Sequence, residues 1–141
     1  MFQMFQNKLR KSILYIWQLP QNLIALLFLL YLQNEQKHEL KGIKFYYSEK
    51  FPGGISLGEY IIVGTENYST VKHEYGHVLQ SRILGPLYLF VIGIPSLLHA
   101  GLHNCENFDK RYFHFYTERW ADKLGRIERN DKGIAIKIVA N

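Results

Sequence analysis

A chain of 141 residues with 48% hydrophobic and 15% aromatic residues is long enough for one domain with its own core, and those fractions exclude disorder. The single cysteine, Cys105, excludes a disulfide scaffold, and a chain of this size needs no metal merely to fold, so a metal site in it would serve chemistry. The net charge of +5 is spread thinly, with five Lys or Arg against two Glu over residues 1–41 and eight against six acids over 105–141, so no nucleic-acid partner is expected.

The chain opens with Lys8, Arg10 and Lys11 and continues as a run from Ile13 to Leu32, interrupted by Gln18, Pro20, Gln21 and Asn22. A basic lead before an apolar run is how a signal peptide begins. Gln33, Asn34, Glu35 and Gln36 stand where a small-x-small cleavage site would be, so retention is expected. The run predicts an N-terminal hydrophobic helix with three settings open to it: a kinked membrane span, an in-plane interfacial helix with Tyr15 and Trp17 at the headgroups, and a buried helix of a soluble core. About twenty residues just cross a bilayer, whereas the clean apolar piece Leu23–Leu32 is half that. Membrane contact through residues 13–32 is therefore a candidate interaction, and the localisation is either membrane-associated or cytoplasmic.

Over residues 42–64 the texture changes. Ile43, Phe45 and Tyr47 alternate with their neighbours, Phe51-Pro52-Gly53-Gly54 reads as a turn, and Ile55 to Val63 reads as the returning strand of a β-hairpin. Gly58–Val63 is the expected edge strand, able to pair with an extended peptide. Ser69 or Thr70 is expected to cap a helix that runs to Leu84 and stops at Gly85-Pro86. Leu87–Ala100, broken by Gly93 and Pro95, predicts a buried, bent segment, because backbone groups freed at Gly and Pro find no partner in lipid. A second helix is expected from about Tyr112 to Gly125, and Ile134, Ile136 and Ile138 alternate as a half-buried strand does.

Inside the first of these helices stands His73-Glu74-Tyr75-Gly76-His77, the HExxH pattern. Residues four apart on a helix share a face, about 40° apart in azimuth and ~6 Å in rise, so the two imidazoles can converge on one metal ion. Glu74 points toward the neighbouring face, where its carboxylate can take a proton from zinc-activated water and pass it to a leaving amine. A catalytic zinc site needs a third protein ligand and an open position. Glu118-Arg119-Trp120-Ala121-Asp122 in the second helix offers one: Glu118 can bind the metal, and Asp122, one turn on, can hydrogen-bond the second nitrogen of a ligand histidine and fix its tautomer. Gln80 lies on nearly the same face as His77 and either lines the cleft or caps that face as a neutral hydrogen bonder.

Tyr112, Tyr116, His114, His103 and His99 are candidate donors to a developing oxyanion, and spacing does not choose among them. His99 and His103 are themselves four apart, but no Glu stands between them and Gly101 weakens a helix there, so they read as polar loop residues. Cys105 reads as a small thiol rather than a nucleophile.

His73, Glu74 and His77 with Glu118 and Asp122 resemble the HExxH…ExxxD pattern of the gluzincin zinc metallopeptidases, shared by thermolysin-like and membrane-bound CAAX-protease-like enzymes. The longer strings HEYGHVLQS, GPLYLFVIGIPSLL and YTERWAD are similar to small predicted bacterial metallopeptidase domains, some of them fused to polymorphic toxins, over about residues 70–125. The resemblance implies Zn2+ as cofactor, His73, His77 and Glu118 as its ligands, Glu74 as general base and Asp122 as the carboxylate behind a ligand histidine. The chain departs from the family in size, with little room for the usual C-terminal subdomain and its extra transition-state donor.

The expected architecture is α+β. An N-terminal basic and hydrophobic helical segment over 1–41 precedes a minimal zincin-like metallopeptidase domain over 42–141, in which the HExxH helix packs on the Glu-donating helix beside a small β-hairpin or sheet. The expected function is zinc-dependent hydrolysis of peptide bonds, by an endopeptidase acting on a peptide or protein substrate, without a covalent acyl-enzyme. Two alternatives come from other classes. One is a catalytically silent zinc-binding scaffold, which has no use for Glu74 as a base; the other is a membrane-associated interaction protein in which HExxH is accidental.

Overall fold

The computed structural model describes residues 2–32, 36–40, 43–51, 53–65, 67–104 and 112–139; Cys105, Pro52 of the expected turn and residues 33–35 lie outside them. The chain is α+β, with helices packed around a four-stranded sheet and a separate two-stranded one.

The apolar N-terminal run is two helices rather than one, α1 (Phe2–Trp17) and α2 (Leu19–Leu32), which meet at 84°. Gln18 marks the break, and Pro20 sits in the first turn of α2, where its missing N–H costs nothing. The amides at this elbow are buried and tie it to the body. Gln18 Nε2 donates to Glu59 Oε1 at 2.7 Å, Asn22 Oδ1 accepts from the Glu59 N–H at 2.9 Å, and Gln21 Nε2 donates to the Gly85 carbonyl.

The four-stranded sheet comprises β1 (Gln36–Leu40), β2 (Ile43–Tyr47), β3 (Gly54–Leu57) and β4 (Tyr60–Val63) in the order β1-β2-β4-β3. β1 precedes residue 42 yet pairs antiparallel with β2, placing His38 opposite Phe45. The expected pairing of β2 with a returning strand is corrected. β2 runs parallel to β4, with Phe45 opposite Ile61, and the actual hairpin is β3–β4, with Ser56 opposite Ile61. Its tight turn holds Gly58 at φ +63, where a Cβ would also collide with the Asn22 side chain. The expected edge strand is corrected with it. β4 is interior and all four of its residues are buried, so the outer strand on that side is β3.

α3 (Tyr68–Leu84) is capped by Asn67, whose Oδ1 accepts from the Ser69 N–H at 3.0 Å, rather than by Ser69 or Thr70; Gly85, at φ +55, ends it as expected. The helix has no single apolar face because it is covered on two sides. Val78 joins Ile43, Ile61 and Val63 in a core against the sheet, while the histidine face meets α5 (Tyr116–Gly125). A second cluster of Ala25, Leu57 and Tyr60 seats α2 beneath the sheet.

Residues 85–104 bend as expected, through a 3-10 turn (Gly85–Leu87), a π-helical turn (Leu89–Gly93) and α4 (Ile94–Asn104). The expectation that this segment is buried is not met, since only Tyr88 and Ile92 of residues 87–100 are. Tyr112–His114 is a 3-10 turn ahead of α5 rather than its first turn. The expected C-terminal strand is β6 (Ala135–Ile138), paired antiparallel with an unforeseen β5 (Ile127–Arg129).

Candidate metal centre

α3 and α5 approach closely because each presents a glycine to the other's backbone. A Cβ on Gly76 would lie 2.0 Å from the Ala121 carbonyl oxygen, and one on Gly125 would lie 2.4 Å from that of Lys72. That approach brings together His73 and His77 of α3 with Glu118 and Asp122 of α5. Glu118 is 1% exposed, and its Oε2 lies 3.0 Å from His73 Nε2 and 3.3 Å from His77 Nε2. Ligand atoms of His73, His77 and Glu118 fall within 4.8 Å of one another, the one such group among the described residues. Glu118 Oε1 accepts from the Ser96 hydroxyl at 2.6 Å and the Thr117 hydroxyl at 2.9 Å, which fixes the carboxylate with Oε2 toward the histidines.

The opposite ring nitrogens are held as firmly. His73 Nδ1 lies 2.8 Å from Asp122 Oδ1, and Asp122 is clamped by Arg129, whose Nε donates to Oδ2 at 2.7 Å and whose Nη2 donates to Oδ1 at 3.0 Å. His77 Nδ1 lies 2.7 Å from Gln80 Oε1, and the Gln80 amide is oriented by donating from Nε2 to the Thr117 carbonyl at 2.8 Å. Carboxylate and amide oxygens only accept, so both Nδ1 atoms donate and both neutral rings carry a lone pair at Nε2. Two imidazole lone pairs and a carboxylate oxygen therefore converge with no donor among them. Such a cluster calls for a cation, either a metal ion or a proton.

The electrostatics follow from that. Burial disfavours a charged His73, but its hydrogen bonds to Asp122 and Glu118 outweigh burial and raise its pKa to about 9. Burial likewise works against the Glu118 carboxylate, yet the close His73 and His77 rings hold it far below the usual range. Asp122 is also lowered against the effect of burial, by His73 and Arg129.

Glu74 sits beside the cluster and is buried. The Ser56 hydroxyl lies 2.7 Å from the Glu74 carbonyl oxygen and 2.8 Å from its Oε2, with one proton to give. Gly54 leaves the room for this carboxylate, because a Cβ there would meet Glu74 Oε1 at 2.3 Å. The outer strand β3 thus positions Glu74, whose charge reaches His73. Behind β3, the buried Tyr88 donates to the Ser56 carbonyl at 3.2 Å, and burial with the charges of Glu74 and Glu118 raises its pKa.

The five candidate oxyanion donors separate. The Tyr116 hydroxyl donates to the Val91 carbonyl at 2.6 Å, and His114 is exposed. His99 Nε2 donates to the Tyr112 carbonyl at 3.2 Å with its ring stacked on Phe115, and His103 Nδ1 donates to the His99 carbonyl at 3.1 Å, so this pair braces α4 against the turn before α5. Tyr112 is half-buried, and burial together with the charges of Glu118 and Glu74 raises its phenol above its ordinary range. Sequence reasoning did not find Ser56, Ser96, Thr117 or Arg129. Thr117 adjoins Glu118, but nothing in the spacing marks the others. No family model, curated protein or solved structure matches the chain.

Proposed function

We propose that the protein is a zinc-dependent metallopeptidase of the gluzincin type, an endopeptidase that hydrolyses peptide bonds in peptide or protein substrates. His73, His77 and Glu118 would hold the ion, with Glu74 as general base and Asp122 behind His73. The observation that carries this reading is the convergence of three acceptor atoms beside the separately held carboxylate of Glu74. Zinc is supported by the donor set, two imidazoles and one carboxylate, and by the separations of 3.0 and 3.3 Å. Ligands about 2.0–2.1 Å from a shared tetrahedral ion stand roughly 3.3 Å apart. A structural site would more often close its coordination with a fourth protein ligand.

When bound, zinc supplies Lewis-acid polarisation of a peptide carbonyl and a lowered pKa for the attacking water. Glu74 accepts the water proton on a carboxylate oxygen and returns it to the leaving amine nitrogen, while Ser56 keeps that carboxylate from swinging away. Asp122 and Gln80 hold the imidazoles in the tautomer that offers Nε2. Tyr112, whose phenol feels the charges of Glu118 and Glu74, would be the donor for the developing oxyanion.

The test is zinc content and peptidase activity measured on the same preparations. About one zinc per chain is expected in the wild type and a sharp loss in His73→Ala, His77→Ala and Glu118→Ala, because three protein ligands are what a catalytic site provides. Full occupancy in Glu118→Ala would remove it from the ligand set.

A further inference from the structure

Two stretches of this chain carry no Asp, Glu, Lys or Arg, residues 12–32 and residues 83–105. In the fold they touch, because Gln21 donates to the Gly85 carbonyl and the Trp17 ring lies against Gly85. Each stretch also turns large apolar side chains outward. On α2 these include Leu23, Leu27 and Leu30, the last two 68% and 70% exposed. On the π-turn and α4 they include Phe90, Leu97 and Leu98, at 71%, 67% and 63%. Exposed apolar side chains in this number mark an interaction site.

Charge identifies the occupant. α1 carries Lys8, Arg10 and Lys11, all exposed, and no acidic residue, immediately before the first uncharged stretch. A second copy seated on a two-fold axis would bring the same patch onto itself, cations included. An anionic bilayer surface meets both features, taking the apolar side chains at the acyl boundary and the cations at its headgroups.

The elbow decides how the chain would sit there. No single helix among the described residues is long and apolar enough to cross a membrane, and α1 with α2 would do so only as a bent pair. Straightening that pair would pull Gln18, Gln21 and Asn22, each 0% exposed, away from Glu59 and Gly85 and cost their amides those partners in lipid.

We infer that the protein docks on one leaflet of an anionic membrane, with α2 and the residue 89–104 segment in the interfacial plane and the basic face of α1 on the headgroups. This inference does not rest on the peptidase reading.

Flotation of the full chain with phosphatidylcholine vesicles, with and without roughly one-third phosphatidylserine, tests it. The wild type is expected to float with both and far more strongly with the anionic vesicles. Lys8→Gln/Arg10→Gln/Lys11→Gln should lower partitioning to the anionic vesicles by about 100-fold, three surface cations' worth. Leu27→Glu/Leu30→Glu and Leu97→Glu/Leu98→Glu should each weaken binding at least about tenfold without shifting the melting temperature, because these side chains touch solvent rather than core. An impermeant amine-reactive label added outside the vesicles should modify Lys123 and Lys137 as fully as in the free protein. A wild type that stays in the aqueous fraction with both vesicles overturns the inference. So does protection of Lys123 and Lys137 that is relieved only by lysing the vesicles, which would mean a span, or a stable soluble dimer that Leu27→Glu dissociates, which would mean a second copy.

Discussion

A carboxylate as buried as Glu118 persists only where cations or donors compensate it, and here two hydroxyls take one oxygen while two imidazoles face the other. Because metal binding must expel the proton that His73 holds with a pKa of about 9, apparent zinc affinity should rise with pH across the neutral range and level near that value. Zinc affinity measured as a function of pH checks this, and a flat profile would contradict it. Asp122→Asn keeps an acceptor for His73 Nδ1 but removes its charge, and Gln80→Met removes the acceptor for His77. Each should weaken zinc about 10- to 100-fold in competition with a chelating dye. Tyr112→Phe should leave zinc content unchanged and lower kcat about 100-fold or more, the scale of a lost oxyanion donor. The cluster of His73, His77, Glu118 and Asp122 was legible because HExxH and a Glu-x-x-x-Asp pair declare themselves by residue type and helical spacing. Gln80 was half legible, placed on the right face without its partner, whereas Ser56 and Arg129 act only through tertiary contacts that spacing does not encode.

Among the elements, the α3–α5 pair carries the site, and its separation is set by Gly76 and Gly125. The obstacle to a side chain at either position is backbone, which cannot rotate away. Gly76→Ala should therefore cost about 1–3 kcal/mol in unfolding free energy and lower zinc affinity with it, both read from melts with and without metal. Helix periods predicted α3 and α5 well, with errors confined to the cap at Asn67 and the 3-10 turn at Tyr112–His114. The strands were harder. Alternation marked Ile43–Tyr47 and the residues up to Val63 as extended, but alternation carries no information about partners. The parallel β2–β4 pairing and the outer position of β3 were therefore invisible, and with them the hold of Ser56 on Glu74.

At the scale of the whole molecule, Glu59 joins the N-terminal elbow to the end of α3. It accepts from Gln18 Nε2 and, in a forked pair, from Arg82 Nε at 2.8 Å and Nη2 at 2.6 Å. Burial works to raise its pKa, but the bonds from Arg82 and Gln18 prevail and lower it. A lowered folded pKa means that this contribution to stability is complete above the usual carboxylate value and is lost as pH falls through the folded one. Glu59→Gln should flatten the loss of stability below about pH 4.5 relative to wild type, as followed by urea unfolding at stepped pH. The apolar N-terminal run left three settings open in the sequence, because length and composition alone do not separate a span from an interfacial or core helix. The buried amides of Gln18, Gln21 and Asn22, which interrupt that run, are among the residues that tie it to the body. The proposal of catalysis, as distinct from metal binding, turns on Glu74. The most direct measurement is cleavage of a susceptible peptide by the zinc-loaded Glu74→Gln variant beside the wild type, with zinc content and melting temperature taken on the same samples. Near-equal zinc and melting temperature are expected with turnover lower by about 100-fold or more, and turnover equal to wild type would contradict the proposal.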